Sequence, residues 1–186
     1  MDRRFLNICA GLLCLGFVSL LPATVGAQCP NYLAQWGSSG SGDGQFSYTS
    51  GVARDAGGSV YVTGGNNRVQ KFTDTGTYLT QWGSNGSGDG QFFNPTGVAV
   101  DADGGVYVVD TNNHRIQKFT GTGAYLTQWG SYGTGNAEFR YPSGVAVNAA
   151  GEVYVADSAN YRIQKFGSVP TPVKSTTWGR IKSLYR

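Results

Sequence analysis

One pattern of about 47 residues recurs three times along this chain, and it constrains the fold more than any other feature. Trp36, Trp82 and Trp129 stand 46 and 47 residues apart, and Gly97 and Gly144 also stand 47 residues apart. A fixed period of this length is the signature of a stacked or radial repeat architecture, in which each copy is one structural unit. The fold must therefore be built from three similar units.

Short runs of strand-forming residues, separated by turn residues, predict four β-strands in each of the first two copies and three in the third. In the second copy these runs lie at 97–101, 106–110, 115–119 and 125–129. They are rich in Val, Ile, Tyr and Phe, which favour strands, and the Gly, Asn and Asp residues between them favour tight turns. The repeat region shows no helical periodicity, so we predict an all-β fold.

The repeated residues resemble a known family. The second copy contains Pro95-Thr96-Gly97-Val98-Ala99-Val100-Asp101, then Gly105-Val106-Tyr107-Val108-Val109-Asp110, then Asn113-His114-Arg115-Ile116-Gln117-Lys118-Phe119. This pattern is similar to the NHL repeat, and the resemblance covers residues 32–166. In that family each repeat is one four-stranded blade of a β-propeller, usually six-bladed, that serves mostly as a binding platform. The resemblance implies about three blades, at 51–83, 97–130 and 144–166.

The two ends of the repeat region, residues 28–166, do not contain complete copies of the repeat. The third copy has no outer strand, whereas residues 31–37 match the outer strands at 78–83 and 125–130. Known propellers have about four to eight blades. Three blades are too few to close into a ring, so we expect an open arc of blades if the chain is monomeric or a partial propeller. The alternative is half of a six-bladed ring in a homodimer, where residues 31–37 of each subunit complete the third blade of the other.

The two ends of the chain lie outside the repeats. Residues 1–27 have the basic start, apolar middle and small-residue end of a secretory signal peptide, which predicts an extracellular, periplasmic or envelope location. Removal of this segment leaves Cys29 as the one remaining cysteine. Residues 167–186 combine a Pro-containing linker with a tail that has four basic and no acidic residues. The tail has two alternative interpretations: a disordered, solvated segment, or a basic amphipathic helix that docks on the envelope.

Several residues recur in register, and we interpret them as structural. Asp and Asn side chains bond nearby backbone amides in turns, and an Arg that follows can pair with the Asp. Tryptophans at one register of the outer strands are typical of packing between blades rather than of carbohydrate stacking. These structural repeat positions are Asp110, Asn113, Arg115, Asp157, Asn160, Arg162, Trp36, Trp82 and Trp129.

The sequence provides no residue set suited to catalysis or to metal binding. His114 is the only histidine, whereas a catalytic zinc site needs three protein ligands. The amidating lyase, whose propeller resembles this fold, uses several histidines on zinc. The stretch Asp101-Ala102-Asp103-Gly104 resembles the start of a calcium loop, but no closing glutamate follows, so we interpret it as a turn. We expect a non-enzymatic chain without a cofactor.

We expect function to lie in loops on one face of the blades. Two kinds of loop, the one before the first (inner) strand of a blade and the one between its second and third strands, carry aromatic residues and an Arg. These residue types are common interface anchors. Residues 28–166 carry 8 basic and 10 acidic side chains, which together with export disfavours nucleic acid. The expected partner is a protein, peptide or glycan, and the competing interpretation is a structural or envelope-assembly module. The candidate face comprises Tyr48, Asn66, Phe93, Asn94, Asn112, His114, Tyr132, Arg140, Tyr141 and Tyr161.

Overall fold

The computed structural model describes residues 30–167, and these residues form β-strands joined by turns and two short 3-10 segments. The predicted all-β fold is confirmed. The predicted signal peptide and nearly all of the predicted tail lie outside the described residues. Within the described part of the chain, no helical segment has the length and apolar character needed to cross a bilayer.

Three antiparallel sheets follow one another along the chain, and we call them blades 1 to 3. They are preceded by a short parallel pair, β1 (Ser38–Ser39) and β2 (Gln45–Phe46). Blade 1 contains β3 (Thr49–Arg54), β4 (Val60–Gly64), β5 (Arg68–Phe72) and β6 (Tyr78–Trp82). Blade 2 contains β7 (Pro95–Val100), β8 (Val106–Asp110), β9 (Arg115–Phe119) and β10 (Tyr125–Trp129). Blade 3 contains β11 (Gly144–Val147), β12 (Val153–Asp157) and β13 (Arg162–Phe166).

Strands in each blade are hydrogen-bonded in sequence order, so blades 1 and 2 are four-stranded meanders and blade 3 is three-stranded in the described residues. The inner strands of blades 1 and 2 begin two residues earlier than predicted, at Thr49 and Pro95. The reason is an irregular register: Pro95 pairs with Asp110 before the regular ladder starts at Val98 and Val108. Residues 30–37 form no strand in the described structure. Their expected pairing with another copy therefore stays a prediction.

Each blade buries apolar side chains against its neighbour. All five residues of β8 are buried. Val106 and Val108 belong to a cluster with Tyr61 and Val69 of blade 1. Alternate residues of the same strand point the other way, and Tyr107 and Val109 belong to a cluster with Val153 and Val155 of blade 3. The middle strand of the middle blade is thus covered on both faces, as period-two alternation requires.

The repeated tryptophans lie where blades meet. The ring of Trp82, at the end of the outer strand of blade 1, lies 5.9 Å from the ring of Phe119 in blade 2. The ring of Trp129 lies 5.6 Å from that of Phe166 in blade 3. The ring of Trp36, before β1, lies 6.4 Å from that of Phe72 in blade 1. Such tilted aromatic contacts add to the burial of apolar area at each junction.

A buried carboxylate links the strands of blade 2 to the loop that precedes it. Oδ1 of Asp110 accepts a hydrogen bond from the N–H of Phe93 at 2.7 Å. Oδ2 accepts from the side chains of Asn113, Arg115 and Gln117 at 2.9, 2.8 and 3.1 Å. This differs from the sequence interpretation, because Asp110 binds an amide 17 residues away and does not cap the adjacent 3-10 segment Thr111–Asn113.

The guanidinium group of Arg115 continues this network. It donates to the carbonyl oxygens of Gly88 and Gln91 at 2.8 and 3.0 Å, and so ties β9 to the loop after blade 1. Asp157 and Arg162 repeat the ion pair in blade 3. Blade 1 has Gly64 in the acidic position, and Nε of Arg68 is buried there with no hydrogen-bond partner in the described residues.

We predict that Asp110→Asn lowers the free energy of unfolding by about 3 kcal/mol, because it leaves the buried charge of Arg115 without its counterion. Equilibrium urea unfolding measures the loss. The matched control is Asp103→Asn, which removes an exposed carboxylate of a turn and should change stability by less than about 0.5 kcal/mol. Equal effects of the two substitutions would contradict the importance assigned to the buried pair.

Candidate functional site: the loop face of the blades

Two kinds of loop meet beside each junction between blades. One leads into an inner strand, and the other joins the second and third strands. The N–H of Asn112 donates to the carbonyl oxygen of Phe93 at 3.1 Å, and that of Ala159 donates to the carbonyl oxygen of Arg140 at 3.0 Å. The structure thus brings together the loops that the sequence singled out.

Side chains of these loops also bridge successive blades. Asn67 of blade 1 accepts, through Oδ1, a hydrogen bond from the N–H of Asn94 at 2.9 Å. At the next junction His114 accepts, through Nδ1, a hydrogen bond from the N–H of Tyr141 at 3.2 Å. The two contacts are equivalent in the repeat, so an amide and an imidazole perform the same bridging role.

Residues of this face adopt an unusual backbone conformation. The φ angles of Asn94, His114, Tyr141 and Tyr161 are 58°, 55°, 47° and 55°. This left-handed region is uncommon for residues other than glycine, and it is least expected for large side chains such as Tyr. Such conformations concentrate at functional sites, where the surrounding structure holds them in place.

Four side chains at the junction of blades 2 and 3 form a compact group that we call the His114 cluster: His114, Tyr132, Arg140 and Tyr141. The ring centroid of His114 lies 5.0 Å from that of Tyr132 and 4.7 Å from that of Tyr141. The guanidinium carbon of Arg140 lies 5.5 Å from the centroid of Tyr132. Both tyrosines are more than half exposed. The cluster therefore presents two aromatic rings to solvent, with the partly buried guanidinium group of Arg140 beside them.

The imidazole of His114 is neutral in this arrangement, because Nδ1 is used as an acceptor and cannot carry a proton. Burial lowers the pKa of His114, and the charge of Arg140 lowers this pKa further, whereas the charge of Asp110 raises it. The lowering effects dominate, so the pKa lies below the ordinary value of 6.5. The positive charge of the cluster then comes from Arg140.

The remaining predicted face residues fall into two groups. Tyr48 donates its hydroxyl to the side-chain oxygen of Asn94, Phe93 is half exposed, and Tyr161 is almost entirely exposed. By contrast, the side-chain amide of Asn66 donates to the carbonyl oxygen of Gly40 at 3.0 Å. Asn113 and Asn160 make the corresponding bonds to Gly86 and Gly133, so Asn66 holds a loop in place.

The stretch that resembles a calcium loop forms a turn. Oδ1 of Asp101 accepts hydrogen bonds from the N–H groups of Asp103 and Gly105, and Oδ2 accepts from Tyr107 and Lys118. Burial would raise the pKa of Asp101, but the bonds from Lys118, Gly105 and Tyr107 outweigh it and lower that pKa. No group of three or more potential metal ligands occurs in the part of the chain that the structure describes.

The Asp101–Tyr107–Lys118 contact was not foreseen from the sequence. Nζ of Lys118 lies 3.0 Å from Oδ2 of Asp101 and 4.6 Å from the ring centroid of Tyr107. The signal that could have found it is recurrence, because Tyr61 and Lys71 of blade 1 stand in the same register with Asp55. The recurrence assigns this group a role in holding the turn.

Two segments of the chain, residues 92–119 and 139–166, match the family model of the NHL repeat. In blades 2 and 3, each matched segment starts in the loop before the inner strand and ends with the third strand. With the blade sheets described above, this match supports the resemblance of the repeat region to the NHL-repeat β-propeller family. No curated protein matches the sequence.

Solved structures share the fold at low sequence identity. The hydrazine synthase of Kuenenia stuttgartiensis is 15% identical with a TM-score of 0.51, and the match covers 64% of this chain and 32% of that one. An auxiliary nutrient binding protein from Bacteroides thetaiotaomicron is 17% identical with a TM-score of 0.49, over 62% and 36% of the two chains. The virginiamycin B lyase of Staphylococcus aureus is 18% identical with a TM-score of 0.47, over 66% and 42%. This chain therefore matches less than half the length of each.

We predict that His114 titrates with a pKa below 6.5. Because it is the only histidine, one imidazole signal in a proton NMR titration measures this value directly. The folded state binds the proton more weakly than the unfolded state. The contribution of His114 to stability is thus complete above pH 6.5 and declines as the pH falls toward the folded-state pKa.

The matched variant is His114→Asn, because Asn67 already makes the equivalent bond in blade 1. We expect this variant to keep the bridge and to lose the part of the pH dependence that His114 causes. Urea unfolding of both proteins at pH 5 and pH 7.5 tests this. A histidine signal that titrates at or above 6.5 would refute the assignment.

Proposed function

We propose that this chain is an exported, non-catalytic binding module that captures a protein or peptide through the His114 cluster. The observation that carries the proposal is the solvent-facing group of Tyr132, Tyr141 and Arg140 at one junction between blades. Aromatic rings and arginine are the side chains most enriched among residues that dominate interface energies. The basic, apolar and small-residue regions of residues 1–27 support export.

The chemistry of the cluster favours a ligand with a carboxylate beside an apolar or aromatic group. Arg140 forms no ion pair with any described residue, and its buried Nε has no hydrogen-bond partner among them. A carboxylate of the ligand would supply the missing counterion, while the rings of Tyr132 and Tyr141 provide apolar contact. The left-handed backbone at His114 and Tyr141 holds these groups in place before binding, which limits the entropy cost.

Two other functions are less well supported. A structural or envelope-assembly module would use the blades only as a rigid block, and the recurrence of the Asp–Arg pair in blades 2 and 3 favours a rigid block. A propeller lyase or hydrolase needs an acid–base or metal site. His114 is the only histidine, and it is used as a hydrogen-bond acceptor within the fold.

We predict that combined replacement of Tyr132, Arg140 and Tyr141 by alanine abolishes ligand binding without loss of the fold. The probe is a set of peptides selected from a displayed random library on the wild-type protein, with affinities measured by calorimetry. If each anchor contributes about 2 kcal/mol, the combined loss exceeds about 100-fold even with strong non-additivity.

The control is Leu126→Ala, which removes an exposed apolar side chain from the outer strand of the same blade. This control should bind the peptides as the wild type does. Unchanged binding by the triple variant would refute the proposal. Failure to select any peptide, with positive binding on a glycan array, would favour a glycan ligand at the same face.

A further inference from the structure

Side chains at equivalent repeat positions differ sharply in exposure at the two ends of the three-blade array. Ile116 of blade 2 is completely buried, whereas Ile163 of blade 3, at the same repeat position, is 66% exposed. Val98 of blade 2 is 7% exposed, whereas Val52 of blade 1 is 70% exposed. Among residues 30–167, no neighbouring blade covers Ile163 on one face of blade 3 or Val52 on the opposite face of blade 1.

The two uncovered faces are counterparts of one another. At the junction of blades 2 and 3, Tyr107 and Ile116 pack in one cluster with Val153 and Val155, and Val145 packs against it. Blade 3 presents Tyr154 and Ile163 in the positions of Tyr107 and Ile116. Blade 1 carries Val52, Val60 and Val62 in the positions of Val145, Val153 and Val155; Val52 is exposed, whereas Val60 and Val62 are each only 8% exposed. The exposed residues Ile163 and Val52 therefore stand in the positions of Ile116 and Val145, which pack together where blade 2 meets blade 3.

The inner strands lead to the same conclusion. A Cβ atom added at Gly97 would lie 3.1 Å from the carbonyl oxygen of Ser143, and one added at Gly51 would lie 2.3 Å from that of Thr96. Both contacts are with the following blade. At Gly144 the nearest atom would be Cβ of Ala156, at 3.6 Å, within the same blade. The space beside Gly144 is where the inner strand of a following blade would lie.

The segment before β1 already occupies the place of an outer strand from a preceding blade. Trp36 contacts Phe72 as Trp82 contacts Phe119. Gln35, the residue before Trp36, corresponds to Gln128, which accepts a hydrogen bond from Nη1 of Arg115 at 2.6 Å. In blade 3, Nη1 of Arg162 donates instead to the carbonyl oxygen of Thr134 at 2.7 Å.

We propose that two copies of this chain pair head to tail, so that blade 3 of each covers blade 1 of the other and the two copies form a six-bladed ring. The pairing is heterologous, since different surfaces meet, and such contacts form rings when the rotation closes. Propellers contain about four to eight blades, so two copies of three blades fit this range and three copies do not. Gln35 of one copy then lies beside Arg162 of the other, next to β13.

The test uses two charge variants, Ile163→Lys and Val52→Glu, each in the full 186-residue chain. The wild type should show twice the mass of one chain by light scattering. Each variant alone places two like changes in the ring, one at each junction, and should raise the dissociation constant at least 100-fold. An equimolar mixture should recover the dimer, because one junction then pairs the new lysine with the new glutamate and the other is wild type.

Leu126→Lys is the matched control, because Leu126 is half exposed on the middle blade, which has a neighbour on each side. It should remain dimeric. Far-UV circular dichroism separates loss of pairing from loss of fold. If either charge variant unfolds, Gly144→Ala replaces it, because the added methyl group has room within one copy and collides only with a docked second copy.

A monomeric wild type would overturn the proposal and leave residues 168–186 or another protein to cover the two faces. Retention of the dimer in both charge variants would also overturn it, because pairing would then use another surface. A mixture that stays monomeric would refute the head-to-tail arrangement. None of these outcomes depends on whether the His114 cluster binds a peptide.

Discussion

The middle blade of this protein has two apolar faces, and each is covered by the blade beside it. The middle strand β8 shows the constraint most directly, because its five residues are all buried and its alternate side chains enter different clusters. Covering one large aliphatic side chain contributes about 1.5–3 kcal/mol, so a lone blade would lose most of its stabilising burial. Most of the free energy of folding therefore comes from apolar burial between neighbouring blades.

The polar network serves the same junctions. Arg115 and Gln117 of blade 2 donate to the carbonyl oxygen of Gln91, in the loop that leaves blade 1. Asp110 orients both donors and also holds the N–H of Phe93 on the loop face. The buried Asp110–Arg115 pair thus holds the loop that contains Gln91 and Phe93 in place. A loop face held in this way can present its side chains in one arrangement before a ligand arrives, which is the condition for efficient binding.

The blades could be predicted from the sequence because strand identity depends on local alternation, and the same alternation is repeated in three copies. The fold class and the resemblance to the NHL repeat follow from that pattern. Contacts between blades could not be predicted, because they depend on how far one sheet is rotated against the next. The bond between Asp110 and Phe93 spans 17 residues, and no local rule connects them.

The candidate face was predicted only in part for the same reason. The aromatic residues in the loops follow from the sequence, but the bridge from Tyr141 to His114 involves left-handed backbone at both residues, which a bulky Tyr rarely adopts. Asn66 was grouped with the face because it lies in the correct loop, although its side chain bonds to Gly40. Loop position alone does not tell whether a polar side chain points to solvent or to backbone.

Comparison of the copies separates structure from function within this one chain. Positions that are the same in every blade, such as the Gln and Phe of the third strand, hold the junctions together. Other positions carry different residue types in different copies. Asn67, Asn85 and Asn94 at the first junction correspond to His114, Tyr132 and Tyr141 at the second. The backbone contact is kept while the exposed chemistry changes from amide to aromatic and cationic. The His114 cluster is therefore a property of one junction, and its exposed chemistry comes from positions that differ between the copies.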